Sequence, residues 1–160
     1  MLIFHLYIFF GRESVQISCS CFYLTDELIT NYLKGESTKD IYEKSSLLNL
    51  ITNLDQVEAP IALSILKERQ GYKVKAVDNN CLILSKGDET EILKIKIGTL
   101  FAKDIVQCVE ENEKHKASKM IVCFSKGEVS PELYKLAIDL KVKILDKADL
   151  LKEANELESK

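Results

Sequence analysis

The chain contains no tryptophan and only two histidines, two prolines and six glycines among its 160 residues. Two histidines, His5 and His115, argue against a histidine-based zinc site and against a Ser-His-acid triad. The glycines are all far apart, so the sequence contains neither a glycine-rich phosphate loop nor a dinucleotide-binding fingerprint. These scarcities exclude the commonest zinc and nucleotide motifs before any other feature is considered.

The five cysteines are odd in number and lack the spacing of a disulfide scaffold. Reduced thiols in a cytoplasmic protein are therefore expected. A net charge of -3 and a pI near 5.5 give no global signal for nucleic-acid binding. Any contact with DNA would have to depend on a local basic surface.

Composition and length indicate an ordinary globular protein, with 46% hydrophobic and 29% charged residues. The first ten residues include nine apolar ones around His5. Ten residues are too few to span a bilayer, which takes about 20, and a basic region typical of a secretory signal is missing. We expect no membrane role and interpret this run as a buried strand or an N-terminal extension.

Residues 1–56 are predicted to form an N-terminal extension, mostly helical and of unknown role. One helix is expected from Thr25-Asp26 to Leu33, closed by Gly35, and a second from Ser37 or Thr38 to about Leu50. The spacing is faintly similar to a helix-turn-helix, but residues 48–54 are apolar and lack the basic side chains that contact phosphates. A helical packing element is the favoured interpretation.

Residues 57–160 are predicted to form one α/β domain. Apolar periodicity and turn residues indicate the order helix, three strands, helix, strand, helix, strand, helix. Three consecutive strands followed by strand–helix alternation predict a mixed β-sheet flanked by helices. The expected core consists of Val74, Leu82, Leu84, Leu93, Ile95, Ile105, Ile121, Val122, Leu136, Ile144 and Leu151.

Several segments of this domain carry a resemblance. They are Gly71-Tyr-Lys-Val74, the hairpin from Cys81 to Lys96, a strand ending at Ser125, Ser130-Pro-Glu, and Lys143-Ile-Leu-Asp146. Together they resemble the Mrr-type restriction endonucleases, within the PD-(D/E)xK nuclease fold. The resemblance implies a restriction-endonuclease-like sheet and an association with DNA or with a nucleic-acid-processing protein, as a homodimer.

The catalytic positions of that family are replaced in this chain. On the second strand of the hairpin, the family has a three-residue motif. Its first residue is Asp, Glu or Gln, its second is any residue, and its third is Lys. In this chain Lys94 falls at the first position and Lys96 at the third. The family's metal-binding Asp falls at Cys81. Magnesium needs carboxylate oxygens, and neither an ammonium nor a thiol replaces them. The resemblance therefore implies a non-catalytic domain without metal or cofactor, with Lys96 as a vestige of the site.

Two alternatives stay open from the sequence. The first is an active magnesium-dependent DNA endonuclease that uses displaced carboxylates, Asp78 and Glu91, together with Lys96. Against it, Asp78 has turn chemistry around it, and the three-residue step from Glu91 to Lys94 places those side chains on opposite faces of a strand. The second is a protein-interaction domain without nucleic acid, which the acidic pI favours.

If nucleic acid is the ligand, Lys94 and Lys96 are expected to dominate its binding, because period two puts both on one face of the strand. Lys73, Lys75 and Lys119 are expected as neighbours on the same side.

Overall fold

A computed structural model of the protein describes residues 6–10, 13–17, 43, 45–55 and 57–159. The chain divides into two compact units, Met1–Ile41 and Tyr42–Lys160. In the first, strands β1 (Leu6–Phe10) and β2 (Glu13–Ile17) form an antiparallel hairpin. The helix predicted from Thr25 to Leu33 lies outside the described residues. No helix in the described ranges is long and apolar enough to cross a bilayer.

The second unit alternates helices and strands much as the sequence predicts. Pro60 lies in the first turn of α2 and Pro131 in that of α4, where a missing N–H costs no hydrogen bond. The elements are α1 (Leu47–Thr52), α2 (Ala59–Arg69), β3 (Lys73–Asp78), β4 (Cys81–Lys86), β5 (Glu89–Lys96), α3 (Ala102–His115), β6 (Lys119–Phe124), α4 (Pro131–Asp139), β7 (Val142–Leu145) and α5 (Lys147–Glu158).

These strands form one five-stranded sheet in the order β3-β4-β5-β6-β7. Strands β3, β4 and β5 pair antiparallel, whereas β5, β6 and β7 pair parallel. The β4–β5 turn contains Gly87 at φ 60°, a backbone conformation that glycine adopts without steric cost. The predicted mixed sheet with interleaved helices is confirmed.

The two faces of the sheet carry different helices. Both parallel crossovers run in the same direction, so α3 and α4 lie on one side, which we call the α3 face. Its buried residues include Cys81, Ile92, Val122 and Phe124. The opposite side, the α2 face, is covered by α2 together with α1 and α5, which pack against each other.

The buried core contains seven of the eleven residues expected from the sequence: Leu82, Leu84, Leu93, Ile95, Ile105, Ile121 and Val122. The other four are partly buried: Leu136 and Ile144 pack against the core, and Val74 and Leu151 are also partly exposed. Val74 illustrates the reason, since it lies on the edge strand β3, which has a neighbour on one side only.

Helix α1 contributes to this core although its residues were assigned to the N-terminal extension. Leu47, Leu50 and Ile51 are buried. The helix is tied to α5, because Glu158 accepts hydrogen bonds from the backbone N–H of Leu47 and from the Ser46 hydroxyl. The apolar segment that lacks basic side chains is thus a packing element of the second unit.

Candidate functional site

The β4–β5 hairpin places Cys81 directly opposite Lys94. Cys81 is completely buried. Burial, followed by the charge of the nearby Asp78 carboxylate, raises the pKa of its thiol to about 11. A thiol with this pKa stays protonated at neutral pH, and Cys81 packs in an apolar cluster with Ile92 and Cys108.

The charge of Lys96 is neutralised inside the protein. Its Nζ lies 3.5 Å from Oδ1 of Asp104, a buried side chain in the first turn of α3. The other oxygen of Asp104 accepts a hydrogen bond from the backbone N–H of Phe101 at 2.9 Å, so the carboxylate is held by the start of the helix. Lys96 Nζ also lies 5.8 Å from the centre of the Phe101 ring. Lys96 is therefore a structural partner of α3.

Three of the predicted lysines share the α3 face of the sheet. Lys73 and Lys75 are exposed on β3, and Lys94 is half-buried on β5. None of the three forms an ion pair with another residue in the described part of the chain. Because α3 packs mainly on β5 and β6, the β3 end of this face is accessible. Ion-pair-free ammonium groups at an open surface are suited to phosphate contacts.

The two candidate displaced carboxylates lie on opposite faces of the sheet. Asp78 pairs with Cys81 across the β3–β4 turn, on the α3 face, and its Oδ1 accepts a hydrogen bond from Asn80 N at 2.6 Å. Glu91 is 6% exposed on the α2 face. Among the described residues, no group of three Asp, Glu, His or Cys side chains could hold a metal ion.

Lys119 is separated from Lys94 by the sheet itself. Its Nζ contacts Glu89 and lies 3.4 Å from Glu91 on the α2 face. The hydrogen bond to Glu89 is the largest influence that raises the pKa of Lys119. The structure thus groups Lys73, Lys75 and Lys94 together and places Lys119 elsewhere.

Lys119 belongs instead to a groove of about 410 Å³, which we call the polar groove. It lies where β6 and β7 begin, beside the C-terminal end of α2 and the middle of α5. Sequence reasoning missed it because its side chains come from five elements and the segments between them. The one local signal is the Lys-x-Lys pair at 141 and 143. The lining residues are Lys67, Gln70, Tyr72, Glu91, Ser118, Lys119, Met120, Ile121, Lys141, Lys143, Leu145 and Glu153.

Comparison of the chain with models of known protein families, with curated proteins and with solved structures finds no match. The resemblance to Mrr-type domains therefore stays a prediction from the residues that carry it.

Proposed function

We propose that the protein is a non-catalytic domain that associates with the phosphate backbone of nucleic acid. The observation that carries the proposal is the position of Lys73, Lys75 and Lys94 on one sheet face, the first two exposed and the third half-buried, without ion-pair partners in the described part of the chain. The resemblance to a nuclease fold adds support, and the contacts of Lys96 with Asp104 explain why that lysine is left out.

Such binding depends on charge and carries little sequence preference, because phosphates are the same at every base pair. The face also has acidic neighbours, since Asp78 and Glu111 both lie close enough to Cys81 to influence its thiol. Those carboxylates weaken the attraction of phosphate. Affinity on the usual non-specific scale, a Kd of about 10⁻⁴–10⁻⁶ M, is expected.

The test is fluorescence anisotropy of a labelled DNA duplex at several salt concentrations. Three phosphate contacts predict that log K falls with log salt with a slope of about -3. Changing Lys73, Lys75 and Lys94 together to Gln should abolish most of the binding. The matched control changes Lys141 and Lys143 to Gln, which removes two charges from the opposite face.

Binding by the triple variant equal to that of the parent would refute this surface. No binding by the parent at low salt would refute association with duplex DNA altogether.

A second candidate function, protein interaction without nucleic acid, has one observation in its favour. Helix α4 exposes two large apolar side chains one turn apart, Tyr134 at 49% and Ile138 at 74%. Exposed apolar side chains on one helix face are common at protein interfaces. This function would be favoured if the parent retains a protein partner, the Ile138→Asp variant loses it, and neither of them binds DNA.

A further inference from the structure

The polar groove combines a buried positive charge with exposed ones. Lys67, on α2, is 4% exposed, and it is the one lysine buried in the described part of the chain. Its Nζ lies 2.6 Å from Glu153 Oε2, and Gln70 donates to the same oxygen at 2.9 Å. An ammonium group has three N–H donors, so a single carboxylate contact leaves donor capacity at the floor of the groove.

The balance of charge in the groove is positive. Four lysines line it, against the two carboxylates Glu91 and Glu153. Glu153 pairs with Lys67, and Glu91 pairs with Lys119. The other two lysines, Lys141 and Lys143, are exposed and form no ion pair within the described ranges. Glu89, which also contacts Lys119, brings a third carboxylate close to these four lysines. Lys141 and Lys143 still have no acidic partner within the described ranges, and such ammonium groups attract an anion.

The groove is larger than an inorganic anion requires. Its volume of about 410 Å³ lies within the range of small-molecule sites, roughly 300–1,000 Å³. Tyr72 lines it, and burial, followed by the charge of Glu91, raises the pKa of this phenol. Its hydroxyl is a hydrogen-bond donor at neutral pH. Tyr72 and the apolar side chains of Ile121 and Leu145 offer surface to an organic group attached to the anion.

We propose that the polar groove binds an organic phosphate monoester of about the size of a nucleotide. The phosphate dianion is held by Lys67, Lys141 and Lys143, and the attached group lies along Tyr72. This inference goes beyond the proposed function, because the groove lies on the α2 face, and Lys73, Lys75 and Lys94 lie on the α3 face.

The experiment titrates the full chain with AMP, adenosine and inorganic phosphate by isothermal calorimetry, and follows backbone amides by NMR. AMP is expected to bind saturably and to shift amides of residues 118–121 and 141–145. Inorganic phosphate should bind more weakly, and adenosine should not bind. Because the second pKa of a phosphate monoester is about 6, the affinity for AMP should fall as the pH drops from 7 to 5.

Variants locate the site. Lys143→Gln should weaken AMP binding roughly tenfold, since it removes one charge-assisted hydrogen bond. Lys67→Met should weaken it at least as much, and its fold is checked by the NMR spectrum. If Lys67→Met does not fold, the Lys143→Gln variant, which changes an exposed residue, alone tests the location of the site. The matched control, Lys73→Gln with Lys75→Gln, should leave AMP affinity unchanged.

A phosphate monoester also occurs at the 5′ end of a nucleic-acid strand. Competition with AMP by a 5′-phosphorylated oligonucleotide, but not by the same oligonucleotide without its phosphate, would identify the strand end as a ligand. Absence of competition would identify the free nucleotide. Absence of AMP binding at about 10 mM, a concentration that would detect even weak millimolar sites, would overturn the proposal, as would unchanged binding in Lys143→Gln.

Discussion

At the scale of single residues, Cys81 and Lys96 are each held by contacts on the α3 face. Cys81 packs in the apolar cluster of the α3 face together with Cys108. Lys96 joins that face to the first turn of α3 through Asp104. One oxygen of the buried Asp104 carboxylate contacts Lys96, and the other accepts a hydrogen bond from the backbone N–H of Phe101. Loss of Lys96 would leave this buried carboxylate without its counter-charge.

The buried thiols give a first residue-scale prediction. Burial raises the pKa of Cys81 to about 11, and those of Cys108 and Cys123 to about 12. In a variant with Cys19→Ser and Cys21→Ser, these three thiols should react with a disulfide reagent at pH 8 only when urea unfolds the protein, since the thiolate is the reacting form. Absorbance of the released thiol measures the rate.

The same shifts set the sign of an alkaline pH dependence. Folding raises these thiol pKa values above 9.0, so the unfolded chain loses its thiol protons at a lower pH than the folded chain. The free energy of unfolding is therefore highest below pH 9.0 and falls as the pH rises toward 11. Rapid labelling of native protein at pH 8 would contradict the burial of these side chains.

At the scale of elements, the ends of helices depend on particular backbone conformations. Lys116 closes α3 in the left-handed region, at φ 54°. Asn112 supports this end, because its side chain accepts a hydrogen bond from Ala117 N at 2.8 Å. A left-handed lysine carries steric strain that glycine lacks.

Lys116→Gly should therefore raise the free energy of unfolding by about 0.5–1 kcal/mol, the difference between relieved strain and the greater chain entropy of glycine. Urea denaturation measures the change. Lys116→Ala is the control, because it removes the same charge but keeps the Cβ and its strain. Equal stability of the two variants would show that the strain relieved at this position does not exceed the entropy cost of glycine.

The local pattern of apolar and turn residues predicts the limits of helices and strands well. It predicts which other elements pack against them less well. The strands from Lys119 to Phe124 and from Val142 to Leu145 have the expected limits, because apolar runs between turn residues define them. Period two shows that Ile92 and Lys94 share a face, but it does not show that α3 covers that face and buries Ile92 completely. The polar groove is similarly non-local, since Lys67 and Glu153 meet 86 positions apart.

At the scale of the whole molecule, ion pairing decides where positive charge is available. Lysines that pair with carboxylates contribute little outward field, and examples are Lys96 with Asp104 and Lys126 with Asp55. Five lysines of the two proposed sites have no ion pair among the described residues, and the two sets lie on opposite faces of one sheet. This arrangement lets two anionic ligands be tested independently in a protein whose net charge is acidic.

The whole molecule should show no magnesium-dependent cleavage of DNA. The expected reason is that Asp78 and Glu91 lie on opposite faces of the sheet, and Lys96 is bound to Asp104. Purified protein incubated with supercoiled plasmid and Mg²⁺ or Mn²⁺ should leave the plasmid intact on a gel. Nicking that EDTA suppresses and that Lys96→Ala eliminates would contradict this expectation.

The contact between α1 and α5 has a consequence for synthesis on the ribosome. Leu47 and Leu50 emerge about a hundred residues before α5, whose Glu158 holds the start of α1. Until α5 is outside the exit tunnel, one apolar side of α1 has no cover. The domain therefore completes its core only after its last helix has been translated, and a nascent chain stalled before residue 147 would be a substrate for chaperones.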